Sequence, residues 1–174
     1  GGTGKTPTTI KLYEMLKELK YSVSTAKKIN ISQHDENIIL EKKTLIITDK
    51  NRKKILEKGI ENKQDIIIFD DGLQDRKISY DLEFVCFDSD NWIGNGYLMP
   101  SGPLREKLKS LKKYDGVFLK GDNSNNPNII EQIKKYNNKI QIFMTHYEPI
   151  NLKKFNLSEK YLIFSGIGNS NSFK

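Results

Sequence analysis

The chain is poor in the residues that would commit it to several functional classes. It holds one cysteine, Cys86, in 174 residues, so neither a disulfide framework nor a cysteine-based zinc site can be built. It has one tryptophan, two histidines and only three arginines, Arg52, Arg76 and Arg105. No apolar run approaches the ~18 residues of a membrane span; runs such as Ile66–Phe69 have the length of a strand. The single thiol and the lack of a signal-peptide pattern set the expectation of a reducing, cytoplasmic setting.

Lysine is abundant instead. It supplies 26 of the 29 basic residues, against 22 acidic ones, for a net charge of +7. With many Ile and Asn alongside, this balance reads as genome-wide compositional bias. Lys42-Lys43 and Lys53-Lys54 fall on expected solvent faces without interleaved aromatics, so nucleic acid is not an expected partner. A basic surface does suit an anionic membrane or a phosphorylated substrate. At 36% hydrophobic and 29% charged, the composition is that of an ordinary soluble domain. One domain of this length buries about 70% of its unfolded surface.

Hydrophobic periodicity alternates between helix and strand. Ile10, Tyr13, Leu16 and Leu19 recur at helical spacing, which predicts an amphipathic helix over 7–20. Strands are expected at 23–26, 44–47, 65–70, 82–87, Gly116–Lys120, 140–145 and 161–165, and helices at 36–40, 51–61, 103–113 and 129–136. Ile66–Phe69 is apolar on both faces and is expected to be central in a parallel sheet. The alternation implies an α/β, P-loop NTPase-like, doubly wound and mainly parallel sheet with helices on both faces. Residues 1–146 are expected to form the core and 147–174 the start of a further part.

Gly1-Gly2-Thr3-Gly4-Lys5-Thr6 runs directly into the first helix and ends in the Gly-Lys-Thr of a phosphate-binding loop. Glycines let backbone N–H groups approach phosphate oxygens, and a helix start offers unsatisfied N–H groups and partial positive charge. Lys5 is then placed for the β- and γ-phosphates of ATP, and the Thr6 hydroxyl for Mg²⁺. Such a loop needs a strand to present it, so a further strand before Gly1 is expected. Asp70 and Asp71 close the Ile66–Phe69 strand. A carboxylate there can hold Mg²⁺ opposite Thr6, while Asp71-Gly72 is also a good turn pair.

The order of the remaining segments resembles the tetraacyldisaccharide 4'-kinase family over nearly the whole chain. The carrying residues are the Gly-Gly-Thr-Gly-Lys-Thr-Pro start, Asp70-Asp71-Gly72-Leu73-Gln74, Gly94-Asn95-Gly96 followed by Gly102-Pro103-Leu104-Arg105-Glu106, and Phe164-Ser165-Gly166-Ile167-Gly168-Asn169. The resemblance implies transfer of the γ-phosphate of ATP to the 4'-hydroxyl of a tetraacyldisaccharide 1-phosphate. That acceptor is a glycolipid met at the cytoplasmic face of the bacterial inner membrane. It also implies Asp35 as the residue that helps activate the attacking hydroxyl, and Asp71 and Arg105 as catalytic residues. Read from the residues alone, Asp35 equally caps a helix beginning at Glu36. Arg105, expected in the first turn of the 103–113 helix, opposes the helix dipole and so calls for an anion. That anion is an ATP phosphate, the acceptor's 1-phosphate, or simply Glu106 or Asp81. Gly94-Asn95-Gly96 reads as a tight turn with positive φ. Gly166-Ile167-Gly168-Asn169 reads either as a close backbone approach to nucleotide or as a strand-to-helix turn.

The chain departs from the family's pattern at Asp75, where a histidine usually follows the glutamine. The family also uses a histidine in a C-terminal part, which neither His34 nor His146 matches, so a His-bearing segment beyond Lys174 is expected. The alternative reading is a partitioning-type or metal-insertion ATPase switch with a similar loop. It leaves the Asp70–Gln74 and Gly102–Glu106 segments without a role.

Overall fold

The computed structural model describes residues 2–29, 34–73, 75, 77–121, 126–148, 151–156 and 158–162, with backbone alone at 34–37, 126 and 152. Among the described residues four α-helices, α1 (Lys5–Glu18), α2 (His34–Lys43), α3 (Arg52–Glu61) and α4 (Asn126–Tyr136), are interspersed with six strands. The strands are β1 (Val23–Lys28), β2 (Ile46–Asp49), β3 (Ile66–Phe69), β4 (Phe84–Asp88), β5 (Gly116–Lys120) and β6 (Gln141–Thr145). They form two three-stranded sheets ordered β2-β1-β3 and β4-β5-β6, with every pairing parallel.

The expected α/β architecture is therefore present, with two differences of detail. β3 lies at the edge of its sheet among the described residues, and β1 is the central strand. Apolar residues on both faces of a strand report cover above and below it, not pairing on both edges. The 103–113 segment is not one helix. Leu104 pairs with Leu98 in an isolated parallel bridge, and only Leu108–Lys113 is helical, as a 3-10 helix. The Leu104 N–H goes to the Tyr97 carbonyl at 3.2 Å and its carbonyl accepts from Met99 N–H at 2.8 Å, so neither can join a helical ladder. From Ile163 onward the last expected strand and the Gly166–Asn169 loop lie outside the described residues, as do Gly1 and residues 122–125.

Packing follows strand alternation. In the first sheet Ala26 packs with Ile47 and with Ile55 of α3. The neighbouring Lys27 turns to the opposite face, where it meets Asp70 and, through it, Thr6 of α1. In the second sheet Val117 and Leu119 of β5 meet Ile129 and Ile133 of α4 and Leu111 of the 3-10 helix. Burial of each such aliphatic side chain contributes about 1.5–3 kcal/mol. Asn51 caps α3, its side chain accepting from Lys53 N–H at 3.0 Å. The start of α1 meets both sheets: Thr6 reaches Asp70 after β3, and Thr8 lies beside Cys86 of β4. Among the described residues no helix is long and apolar enough to cross a membrane.

Candidate active site

The phosphate loop has the backbone its glycines permit. Gly2 and Gly4 have φ of 96° and 82°, a left-handed region that a side chain would strain. Gly4 occupies the N-cap position of α1 without a side-chain cap, so the first N–H groups of the helix are left to a ligand. Lys5 and Thr6 are the first two helical residues. The loop is tied to the second sheet by Lys120 at the end of β5, whose ammonium donates to the Gly2 carbonyl at 3.2 Å. The same ammonium pairs with Asp88 at 2.8 Å and lies 5.4 Å from the Tyr147 ring centre.

Asp70 sits directly across from the loop. Its Oδ2 accepts from Thr6 Oγ1 at 3.0 Å and from Lys27 Nζ at 2.9 Å. Lys27 and Asp70 form a buried ion pair, with side chains 2% and 1% exposed. Asp70 Oδ1 is buried and has no hydrogen-bond partner among the described residues. Cys86 borders this cluster, and burial pushes its thiol up to about 11, which makes it an inert neighbour rather than a nucleophile.

Asp71 begins the following turn with φ of 60°, uncommon for a residue with a side chain. Two arginines hold it. Arg105 Nη1 contacts Asp71 Oδ1 at 2.7 Å, and Arg52 Nη2 donates to the Asp71 carbonyl at 2.8 Å. Arg52 also reaches Asp75 Oδ2 at 3.2 Å. The Asp75 carboxyl is held below its usual range, first by a hydrogen bond from Lys77 N–H and then by Arg52, so this residue is committed to the loop. Tyr80 completes the brace: its hydroxyl donates to the Gly72 carbonyl at 3.0 Å and its ring meets Phe69 edge-on.

Arg105 is carried by a loop, not by a helix, so the dipole-based expectation for it does not apply. Its partner is Asp71 and not Glu106, which accepts instead from the Tyr114 hydroxyl at 3.1 Å. The loop is folded by Asn95, whose amide donates to the Ser101 carbonyl at 2.8 Å and whose Oδ1 accepts from Tyr97 N–H at 3.2 Å. Gly94 and Gly96 have the expected positive φ, 56° and 77°. The fold of the loop brings Arg105 to Asp71 and leaves Tyr97 and Met99 exposed, at 66% and 64%. Beside them Leu98, Arg105, Lys107, Lys109, Lys112 and Lys113 line an open groove of about 660 Å³.

With this geometry in hand, comparison with known proteins decides the family. The family model described as tetraacyldisaccharide-1-P 4'-kinase matches residues 1–174. The chain belongs to the tetraacyldisaccharide 4'-kinase family. A curated tetraacyldisaccharide 4'-kinase of Pelagibacter ubique is 44% identical over 173 residues, covering 99% of this chain and 55% of the relative. Those of Rickettsia canadensis and Haemophilus influenzae are 34% and 31% identical, again over 99% of this chain and 56% of the relative. The chain thus spans about half the length of the curated relatives it matches. Nothing in the comparisons points to the switch ATPases.

Among the site residues expected in this 4'-kinase family member, Lys5, Thr6, Asp70, Asp71 and Arg105 are brought together. Thr3 lies in the loop between Gly2 and Gly4. Gly1 is outside the described residues. Asp35 falls in the first turn of α2, which begins at His34, so it is not the cap of a helix starting at Glu36; its side chain is outside the described residues. Sequence reasoning passed over Lys27, Arg52 and Lys120. Arg52 had a signal: it is one of three arginines in a chain that otherwise uses lysine, and a guanidinium can reach a carbonyl and a carboxylate at once where an ammonium cannot. Arg52→Lys is accordingly expected to cost about 1–3 kcal/mol, the worth of charged hydrogen bonds at a buried site. Urea unfolding of the full-length protein measures it, and an unchanged midpoint would show that the brace is dispensable.

A hard divalent ion suits the oxygens gathered here. Thr6 and Asp70 supply a hydroxyl and a carboxylate in contact, and Asp70 Oδ1 is a buried acceptor in need of a partner. Mg²⁺ is commonly held by one or two carboxylates together with substrate phosphates.

Proposed function

We propose that the protein of which this chain is part transfers the γ-phosphate of ATP to the 4'-hydroxyl of a tetraacyldisaccharide 1-phosphate. The observation that carries the reading is the Thr6–Asp70 contact at 3.0 Å. It joins the Gly-Lys-Thr loop to the acidic end of β3, and the Arg105–Asp71 pair stands beside it. Gly1, Gly2, Thr3, Gly4 and Lys5 cradle the phosphates. Thr6 and Asp70 would hold Mg²⁺, which when bound neutralises charge on the β- and γ-phosphates. Phosphoryl transfer then needs little beyond positioning and a proton acceptor, and Asp35 is the proposed acceptor for the sugar hydroxyl. Residues 1–146 form the kinase core in this reading, and 147–174 begin the C-terminal part.

The Tyr97–Met99 loop and its lysine-lined groove support an acceptor approached at the cytoplasmic face of an anionic membrane, since apolar tips flanked by ammonium groups match a lipid surface. Arg105 opens toward that side. The full-length protein, given ATP, Mg²⁺ and the disaccharide, is expected to yield a product phosphorylated at the 4' position, identified by NMR. Absence of turnover over the hydroxyl-blocked control sinks the assignment. Arg105→Lys is expected to lower kcat/KM about tenfold or more, because the ammonium cannot reproduce the guanidinium geometry at Asp71. Separate KM values for ATP and acceptor then report which phosphate Arg105 serves, and unchanged kinetics would return it to a structural pair.

A further inference from the structure

We propose that Lys27 is a built-in counter-cation of the nucleotide site: it holds the place beside Asp70 that a divalent ion would otherwise neutralise, so that the ion enters with the nucleotide and not alone. The inference rests on reading Asp70 as the metal-side carboxylate, and it adds a residue outside the phosphate-loop and aspartate motifs. Lys27 is the fifth residue of β1, and strand alternation turns it from the α3 side toward α1. Its ammonium meets Asp70 Oδ2 at 2.9 Å with both side chains almost fully buried. Thr6 shares that same oxygen. The two donors therefore load one side of the carboxylate and leave Oδ1 as the buried acceptor for what arrives.

Charge counting around the loop gives the consequence. Asp71 is matched by Arg105, and Asp88 by Lys120. Asp70 is matched by Lys27, which leaves Lys5 as a further cation at the helix start. Each of these three carboxylates thus meets a cation before any ligand. A carboxylate matched in this way attracts a free divalent cation less. Mg²⁺ gives up its water reluctantly, and a carboxylate already neutralised by an ammonium does little to compensate. Nucleotide phosphates add negative charge beside Asp70 and bring the metal with them.

The test is Mn²⁺ binding to the full-length protein without nucleotide, followed by EPR. Lys27→Met, an apolar chain of similar length, is expected to tighten Mn²⁺ binding at least tenfold over the parent. Asp70→Asn added to Lys27→Met is expected to remove the gain. Equal affinities in parent and Lys27→Met overturn the inference, as does a gain that survives Asp70→Asn. Should Lys27→Met fold poorly, the parent answers directly through the ¹⁵N signal of the buried Lys27 ammonium. That signal is expected to move with Mg²⁺ plus a non-hydrolysable ATP analogue and to stay in place with the same Mg²⁺ alone; movement with Mg²⁺ alone overturns the proposal. The underlying reading is separable. If the Mn²⁺ affinities are equal but Asp70→Asn still loses metal-dependent nucleotide binding, the Lys27 inference alone fails. If Asp70→Asn keeps that binding, the reading of Asp70 itself is wrong.

Discussion

Lys5→Ala in the full-length protein is expected to lower kcat by about 10²–10³-fold, the scale of removing one preorganised charge donor from a developing transition state. The residue opens α1 directly after Gly4, whose φ of 82° turns the chain into the helix. Its ammonium therefore starts from the point where the helix N–H groups converge, and adds a mobile charge to a fixed cradle. Because the role proposed for this charge is on the β- and γ-phosphates as they separate, the loss should fall on kcat more than on ATP affinity. Thermal stability should remain near parental, since no ion pair or hydrogen bond recorded among the described residues depends on the Lys5 side chain. Steady-state kinetics with a parallel melting curve decide the matter, and an unchanged kcat would remove Lys5 from the reaction.

Asp70→Asn is expected to fail in two separable ways. Deleting the carboxylate breaks an ion pair whose side chains are 2% and 1% exposed, at a cost of about 3–5 kcal/mol. It also removes the proposed metal-side oxygen, so turnover should drop by at least the factor expected for Lys5→Ala. Adding Lys27→Met to Asp70→Asn replaces a buried ion pair by neutral groups, an exchange often close to neutral in stability. The double variant is therefore expected to regain most of the lost unfolding free energy while staying inactive. Recovery of both properties would mean that Asp70 serves only to accommodate Lys27. Recovery of neither would mean that the pair is not the coupled unit its geometry describes.

Much of this arrangement was legible from local pattern. The Ile66–Phe69 and Gly116–Lys120 strands stand where the apolar runs placed them, because a short apolar run between charged residues has little alternative to a buried strand. The Gly-Lys-Thr helix start and the Asp70–Asp71 strand end also came together as the motif implied. What escaped was set by non-local pairing. Pro103 looks like a helix start, yet Leu104 is taken by Leu98 and Tyr97, so Arg105 arrives at Asp71 from a loop. Lys27 sits in a strand of mixed residues, Val23-Ser24-Thr25-Ala26-Lys27, and nothing in that run announces that its fifth member is buried against an aspartate 43 positions later. Lysine-rich composition deepened the concealment, since one functional lysine is invisible among 26. Arginine carried the opposite lesson. Of three arginines, Arg52 and Arg105 both close on the Asp71 turn, and their rarity was the clue.

The two sheets have a consequence for how these residues behave when handled by themselves. β3 and β4 each end a three-stranded ladder, and among the described residues the outward row of N–H and C=O groups on each has no strand beside it. β3 is the apolar run Ile66-Ile67-Ile68-Phe69 and β4 is Phe84-Val85-Cys86-Phe87-Asp88, with neither proline nor a lysine to blunt the edge. Such rows recruit extended chain from whatever is near. In concentrated solution the nearest extended chain belongs to another copy. Expression of residues 1–174 by themselves should then yield edge-to-edge oligomers or inclusion bodies, and solubility should improve when a single charged residue is set into either run.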